Sequence, residues 1–141
     1  SAELLIARLS HYVVDHQRIE KKLIENQWLL QEALNTADYG IIIFGKEEEV
    51  LAYNKAYLEL SGYSNKTLLS NDSAAFIKEG RDLASDQKKF DKEIEEIRTT
   101  KNKLTHFFKR KDGSTYKRMV FPMLKSGEIA GIVIHLYPDI S

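Results

Sequence analysis

Between Gly40 and Ser64 the sequence GIIIFGKEEEVLAYNKAYLELSGYS sets two short apolar segments on either side of an acidic turn and then runs straight into a small helix-forming segment. Ile41 to Phe44 is too short for a helix and is β-branched except at its last position. Val50 to Tyr53 repeats the pattern after the turn Gly45 to Glu49, so the two segments predict a β-hairpin. Asn54 closes the second strand, where its side-chain oxygen can accept one of the unpaired amides that open a helix. That helix is expected over Lys55 to Leu60 and is stopped by Ser61 and Gly62.

Upstream lies a different kind of segment. Ala2 to Ala37 holds no proline or glycine and is rich in Leu, Glu, Lys and Gln, which predicts one long helix. Leu5, Leu9, Tyr12, His16, Ile19, Leu23, Asn26, Leu30, Ala33 and Ala37 follow one another at alternating spacings of four and three, a coiled-coil seam. Tyr12, His16 and Asn26 make three imperfect layers, so the seam is weak but register-specific. At ~1.5 Å per residue such a helix reaches ~50 Å, longer than the domain it precedes, and this implies packing on a second chain. Ile6, Val13, Ile24, Trp28, Leu29 and Leu34 form a second stripe, which suggests a further partner, either the chain's own sheet near Trp28 or another molecule. The expected division is therefore 1–37 for the helix and 38–141 for a domain.

Downstream, Thr67 to Phe76 shows little periodicity and reads as a connection with short irregular helices. In Asp82 to Thr99, Leu83, Phe90, Ile94 and Ile97 share one face of an amphipathic helix. Leu104 to Arg110, Thr115 to Leu124 and Glu128 to Tyr137 read as three strands, joined by turns at Asp112-Gly113 and Ser126-Gly127. The last strand is apolar at nearly every position, whereas an antiparallel strand with one wet face would alternate. It is expected to be central and covered on both sides, with Ile41 to Phe44 beside it.

Strand, acidic turn, strand ending in Asn54, short helix, then Ser61-Gly62-Tyr63-Ser64 resembles the opening of a PAS domain. Lys111-Asp112-Gly113-Ser114 resembles that family's second hairpin turn. Gly127 and Gly131 fall at the opening of its last strand, and Asp139-Ile140-Ser141 resembles its closing Asp-Ile-Thr. The resemblance covers roughly Leu34 to Ser141. It implies an α+β PAS fold, with a five-stranded antiparallel sheet, short helices on one face and a long N-terminal helix. It also implies a sensor and interaction module rather than an enzyme, of the kind found in histidine kinases and cyclic-dinucleotide enzymes. Asp139 would then mark the junction through which a signal leaves for an effector domain beyond Ser141.

The residues that could carry chemistry are few. His11 and His16 are five apart and point to different sides of a helix, so they are poor joint metal ligands. His106 and His135 lie on strands, and His106 shares a face with Phe108, which the resemblance turns toward the family's pocket. The walls expected for that pocket are Phe76, Phe90, Ile94, Phe108, Met119 and Phe121, with Tyr53 and His106 as polar handles. The same residue types also fill ordinary cores. Haem-binding relatives usually supply a histidine from the helix before the third strand, and Asp82 to Lys101 contains none. The chain has no cysteine for a thiol-linked chromophore, and its one tryptophan, Trp28, precedes the domain, which disfavours a stacked flavin. No cofactor is expected, and the remaining candidate is an unidentified small apolar ligand. No metal site, phosphate loop, nucleophile elbow or supported carboxylate pair is present. Glu47-Glu48-Glu49 and the basic hairpin of Lys109-Arg110-Lys111 with Lys117-Arg118 both read as solvated.

Composition narrows the partners. The 141 residues carry 21 Lys plus Arg against 21 Asp plus Glu, a net charge of zero, so nothing marks the chain for nucleic acid or an anionic membrane. No stretch approaches the ~20 apolar residues of a membrane span. A cytoplasmic location is expected, in a fragment of something longer. The expected function is signal sensing and relay by a homodimer, with Leu9, Tyr12, His16, Ile19, Leu23, Asn26 and Leu30 on the dimer helix. The alternative is a ligand-free dimerisation or protein-interaction module.

Overall fold

The computed structural model describes residues 1–139, and Ile140 and Ser141 of the closing triplet lie outside the described residues. The chain divides into two units, 1–33 and 34–141. The first is a single long helix, α1 (Ala2–Asn35), whose last two residues belong to the second unit. None of its side chains is buried: Leu5, Leu9, Ile19, Leu23 and Leu30 are each more than half exposed, as is Trp28.

The second unit follows the order β1 (Gly40–Gly45), β2 (Val50–Tyr53), α2 (Lys55–Ser61), α3 (Asn65–Leu69), α4 (Ser73–Leu83), α5 (Gln87–Thr99), β3 (Leu104–Lys109), β4 (Thr115–Lys125) and β5 (Glu128–Pro138). The five strands form one antiparallel sheet in the order β2-β1-β5-β4-β3. The strand that is apolar at nearly every position, β5, is the central one, and β1 lies beside it.

Four caps partition the helical layer. Asn54 caps α2 through its bond from the Tyr57 amide, Ser64 caps α3, Asp72 caps α4 and Asp86 caps α5. Gly62 ends α2 at φ +73, a left-handed conformation that side chains with a Cβ adopt at a cost. The single helix expected over Asp82 to Thr99 is in fact two. Asp86 draws the chain out of α4 by capping α5, and Ser85 N–H instead donates to the Lys109 carbonyl, so Leu83 ends α4 and does not join the Phe90 face.

Strand register decides which side chains meet the helices. Ile42 is paired with Ile134, Ile134 with Val120 and Val120 with Leu104, one row across the sheet. Ile42 and Val120 are fully buried, and burying each side chain contributes about 1.5–3 kcal/mol. The next row runs Leu136, Arg118, His106. Ile42 and Leu136 form a core with Tyr57 of α2 and Leu68 of α3. On the opposite face His135 lies in a ring cluster with Tyr39, Phe121 and Tyr137. Burial, and then Lys103, push its imidazole below the usual histidine range.

Candidate functional site

Between the helices and the β1–β5 half of the sheet lies a cleft of about 440 Å³. Its floor is Phe44 from β1 with Ile129, Ile132 and Ile134 from β5, and its walls are Phe76 and Ile77 from α4 with Ile94 and Ile97 from α5. Ile94 and Ile97 come from the apolar stripe of an otherwise charged helix, and Phe44 meets Phe76 edge to face at 5.3 Å. Polar groups gather at the rim. Arg98 donates to both carboxylate oxygens of Glu48, at 2.6 and 3.1 Å, and so joins the end of α5 to the β1–β2 turn. This bond, with help from the Ser73 hydroxyl, holds the Glu48 carboxyl below its ordinary value. Glu48 is therefore not merely solvated, as three consecutive acids in a turn suggested. Its backbone sits at φ 64, and the turn aims it at Arg98.

A smaller chamber of about 60 Å³ adjoins the cleft, and the two share Phe76, Ile94, Ile97 and Ile134 as walls. Its remaining lining includes Tyr57, Tyr63, Phe90, Phe108, Arg110 and Arg118. Gly80 on α4 makes room for it, since a Cβ there would meet the Tyr63 hydroxyl and stand 3.0 Å from Phe90 Cζ. Desolvation holds the Tyr63 phenol up at about 12 and that of Tyr57 well above its usual value, so both stay protonated.

The two arginines depart most from the sequence reading. Arg110 and Arg118 are only 7% and 8% exposed. Both come from strings of basic residues, but alternation along a strand sends one of each adjacent pair inward. Arg110 donates to the Ser61 carbonyl, and its guanidinium lies over the Tyr116 ring at 4.7 Å and the Phe108 ring at 5.7 Å. Arg118 stacks over Phe108 at 4.6 Å and reaches Glu93 Oε1 at 3.4 Å and His106 Nδ1 at 3.2 Å. Burial pulls its guanidinium below the usual arginine range, and Glu93 opposes that. The His106 ring lies between these groups, its Nδ1 also 3.7 Å from Glu93 Oε2 and its Nε2 3.1 Å from Glu96 Oε2. Arg118 Nε is buried with no hydrogen-bond partner among the described residues.

Of the expected pocket residues, the structure brings Phe76 and Ile94 to the cleft and Phe90 and Phe108 to the chamber. His106 faces the same layer but is engaged with Glu93, Glu96 and Arg118 rather than lining either cavity. Tyr53 packs against the core from the edge strand β2. Met119 and Phe121 do not join them. Val120 faces the helices at zero exposure, so its two neighbours point to the other face, where Phe121 meets His135 at 4.7 Å. Because β4 is apolar on both sides here, its sequence did not reveal which positions face inward. Glu93 and Arg98 were missed, and Glu48, Arg110 and Arg118, which read as solvated in the sequence, are engaged. The available signal was the spacing of two between Arg118 and buried Val120. Asp139 is held at the far end of β5, its N–H donating to the Thr115 carbonyl and its carbonyl accepting from the Thr115 hydroxyl. His11 and His16 pair on the helix surface with Asp15 and Glu20, and no group of residues suited to a metal ion occurs among the described residues.

Residues 29–99 match a family model described as PAS domain. The chain is similar in structure to the PAS domain of Bordetella pertussis BvgS, with 15% identity, a TM-score of 0.59, and coverage of 83% of this chain and 88% of that one. It is also similar to a PAS domain from a two-component sensor histidine kinase, at 17% identity and a TM-score of 0.53, covering 84% and 99%. A third likeness is to an RNA-binding Light-Oxygen-Voltage receptor, at 16% identity and a TM-score of 0.57. There the match covers 79% of this chain but spans only 33% of that one. No curated protein matches the sequence.

Proposed function

Because the chain belongs to the PAS domain family, a family of sensory modules, we propose that it senses a small apolar ligand in the cleft and relays its binding to an effector domain. The observation that carries this reading is the cleft itself, about 440 Å³ with apolar walls from two helices and the central strand. That volume lies within the range of about 300–1,000 Å³ usual for small-molecule sites. The cleft lies between elements that can shift against each other, α4 and α5 on one side and β1 and β5 on the other. Arg98 and Glu48 span its mouth, and a ligand that alters their spacing moves α5 relative to the β1–β2 turn. A ligand shifts such an equilibrium only by its differential affinity for the two arrangements, and ~5.5 kcal/mol of it takes a 1:99 population to 99:1.

Relay runs through α1 and Asp139. The row of exposed apolar side chains on α1, Leu5, Leu9, Ile19, Leu23 and Leu30, supports pairing with a second copy at the expected seam. The hydrogen bonds of Asp139 to Thr115 tie the exit from β5 to the β3–β4 hairpin. No helix among the described residues is long and apolar enough to cross a membrane.

The test is thermal denaturation against a panel of small apolar and weakly polar compounds. A stability increase that grows with ligand concentration is expected for at least one of them. It should be lost on Ile94→Trp, which fills the cleft. A melting curve indifferent to the whole panel overturns ligand sensing and leaves an interaction module.

A further inference from the structure

The chamber beside the cleft holds an excess of buried positive charge. Arg110 and Arg118 both line it, and among the described residues the one buried carboxylate is Glu93, which pairs with Arg118. His106 lines neither cavity and lies against Glu93, Glu96 and Arg118. Arg110 satisfies itself with a carbonyl and three rings and has no carboxylate partner among the described residues. Arg118 leaves its Nε–H buried and without an acceptor among the described residues. A buried donor without an acceptor is costly, and one on a cation more so. At the mouth of the cleft the situation is reversed, since Arg98 is already engaged by both oxygens of Glu48.

We propose that the ligand is an apolar monocarboxylic acid, its carboxylate seated in the chamber against Arg118 and its hydrocarbon body lying in the adjoining cleft. The four walls common to both cavities set the chamber directly beside the cleft. Charge selects the head group. One negative charge balances two guanidiniums and one carboxylate, whereas a dianion would restore an uncompensated buried charge of the opposite sign. Size agrees, because about 60 Å³ accommodates a carboxylate but not a bulky polar head. The protonated phenols of Tyr57 and Tyr63 supply further donors and no competing charge. This rests on the reading of the cleft as a ligand site and adds the chemical class to it.

The test uses the intact chain with octanoate and with 1-octanol, its neutral counterpart of equal length, followed by calorimetric titration and by nitrogen-resolved spectra of the arginine side chains. Octanoate is expected to bind one to one, at least about tenfold tighter than octanol, as charge-assisted hydrogen bonds allow. The Arg118 Nε–H resonance should move with octanoate and stay in place with octanol. Arg118→Lys keeps the charge but removes that donor, and should weaken octanoate about tenfold while leaving octanol unchanged. Octanol binding as tightly as octanoate overturns the carboxylate head and preserves the cleft reading. Binding of neither overturns both. Tighter octanoate with an unmoved Arg118 resonance also overturns the proposal, because the head group then lies elsewhere. If Arg118→Lys fails to fold, the affinity ratio and the Arg118 resonance in the unaltered chain decide.

Discussion

Asn54 donates its side-chain amide to the carbonyl of Leu34 over 2.8 Å, fastening the first residue of the 34–141 unit to the start of α2. The same amide donates to the Tyr39 carbonyl, and its oxygen accepts from the N–H groups of Ile41 and Tyr57. At 1% exposure, this one side chain caps a helix, opens the sheet and holds the segment between them. Asn54→Ala is expected to cost at least ~3 kcal/mol, a lost cap of ~1 plus several buried groups left unpaired. Asn54→Asp keeps the acceptor for Ile41 and Tyr57 but sets an oxygen against two carbonyls. It should lose nearly as much, with hydrogen exchange accelerated at Leu34 to Ile41. Urea denaturation of the two variants measures the difference.

The pH response of the cleft mouth has a definite sign. Glu48 has a lowered carboxyl pKa, chiefly through its hydrogen bond from Arg98. The pair's stabilisation is therefore fully present above the ordinary glutamate range and is lost as pH falls through the depressed folded value. Both side chains are about 40% exposed, so after solvent screening it amounts to less than ~1 kcal/mol. Stability curves of the wild type and Glu48→Gln should run apart near neutrality and converge in acid below the glutamate range. Parallel curves throughout would mean that the pair contributes nothing.

Gly80 sets two effects against each other. Alanine in a helix interior gains ~1 kcal/mol over glycine, whereas overpacking a tight core costs ~1–3 kcal/mol. Because the new Cβ would meet the Tyr63 hydroxyl, clash wins, and Gly80→Ala should be net destabilising. In a Tyr63→Phe background the obstructing oxygen is gone and much of the penalty should vanish. A double-mutant cycle reads the coupling.

Breaking the buried pair of Arg118 and Glu93 from one side should be severe. Glu93→Gln leaves a second uncompensated guanidinium beside Arg110 and is expected to cost ~3–5 kcal/mol. Replacing both partners by methionine removes the charges together and should recover most of that loss. Thermal unfolding of the single and double variants checks the order.

On α1, Leu9→Glu with Leu23→Glu places charges on the seam expected to pair two copies, where both leucines are over half exposed in the single chain. Sedimentation should show a dimer for the wild type and a monomer for the double variant, with the spectrum of the 34–141 unit unchanged. A monomeric wild type removes the proposed seam.

Most of the fold was legible in the sequence because its signals are local. The hairpin around Glu47 needed only β-branching and a turn, and its second strand, β2, keeps the expected bounds Val50–Tyr53. The near-continuous apolar run of β5 announced its central place, since an edge strand or one with a wet face would alternate. Asn54 and Gly62 marked the ends of α2 by cap chemistry that acts within a few residues. The break between α4 and α5 was harder to read. Asp86 is a local signal, but the bonds that hold Ala84 and Ser85 out of helix come from Arg110 and Lys109, more than twenty residues away.

The sequence by itself determined the order of the strands, the central strand and the apolar character of α5's inner stripe, because these depend on period and on near neighbours. The tertiary structure alone decided which face of β4 points inward, and with it that Met119 and Phe121 leave the cavity while Arg118 enters it. Only pairing across the sheet brings His106 beside Arg118, and only helix packing sets Glu93 against both. Alternation along a strand gives two faces but does not say which is buried. A one-residue choice made by distant partners therefore separates a solvated basic hairpin from a buried cationic chamber.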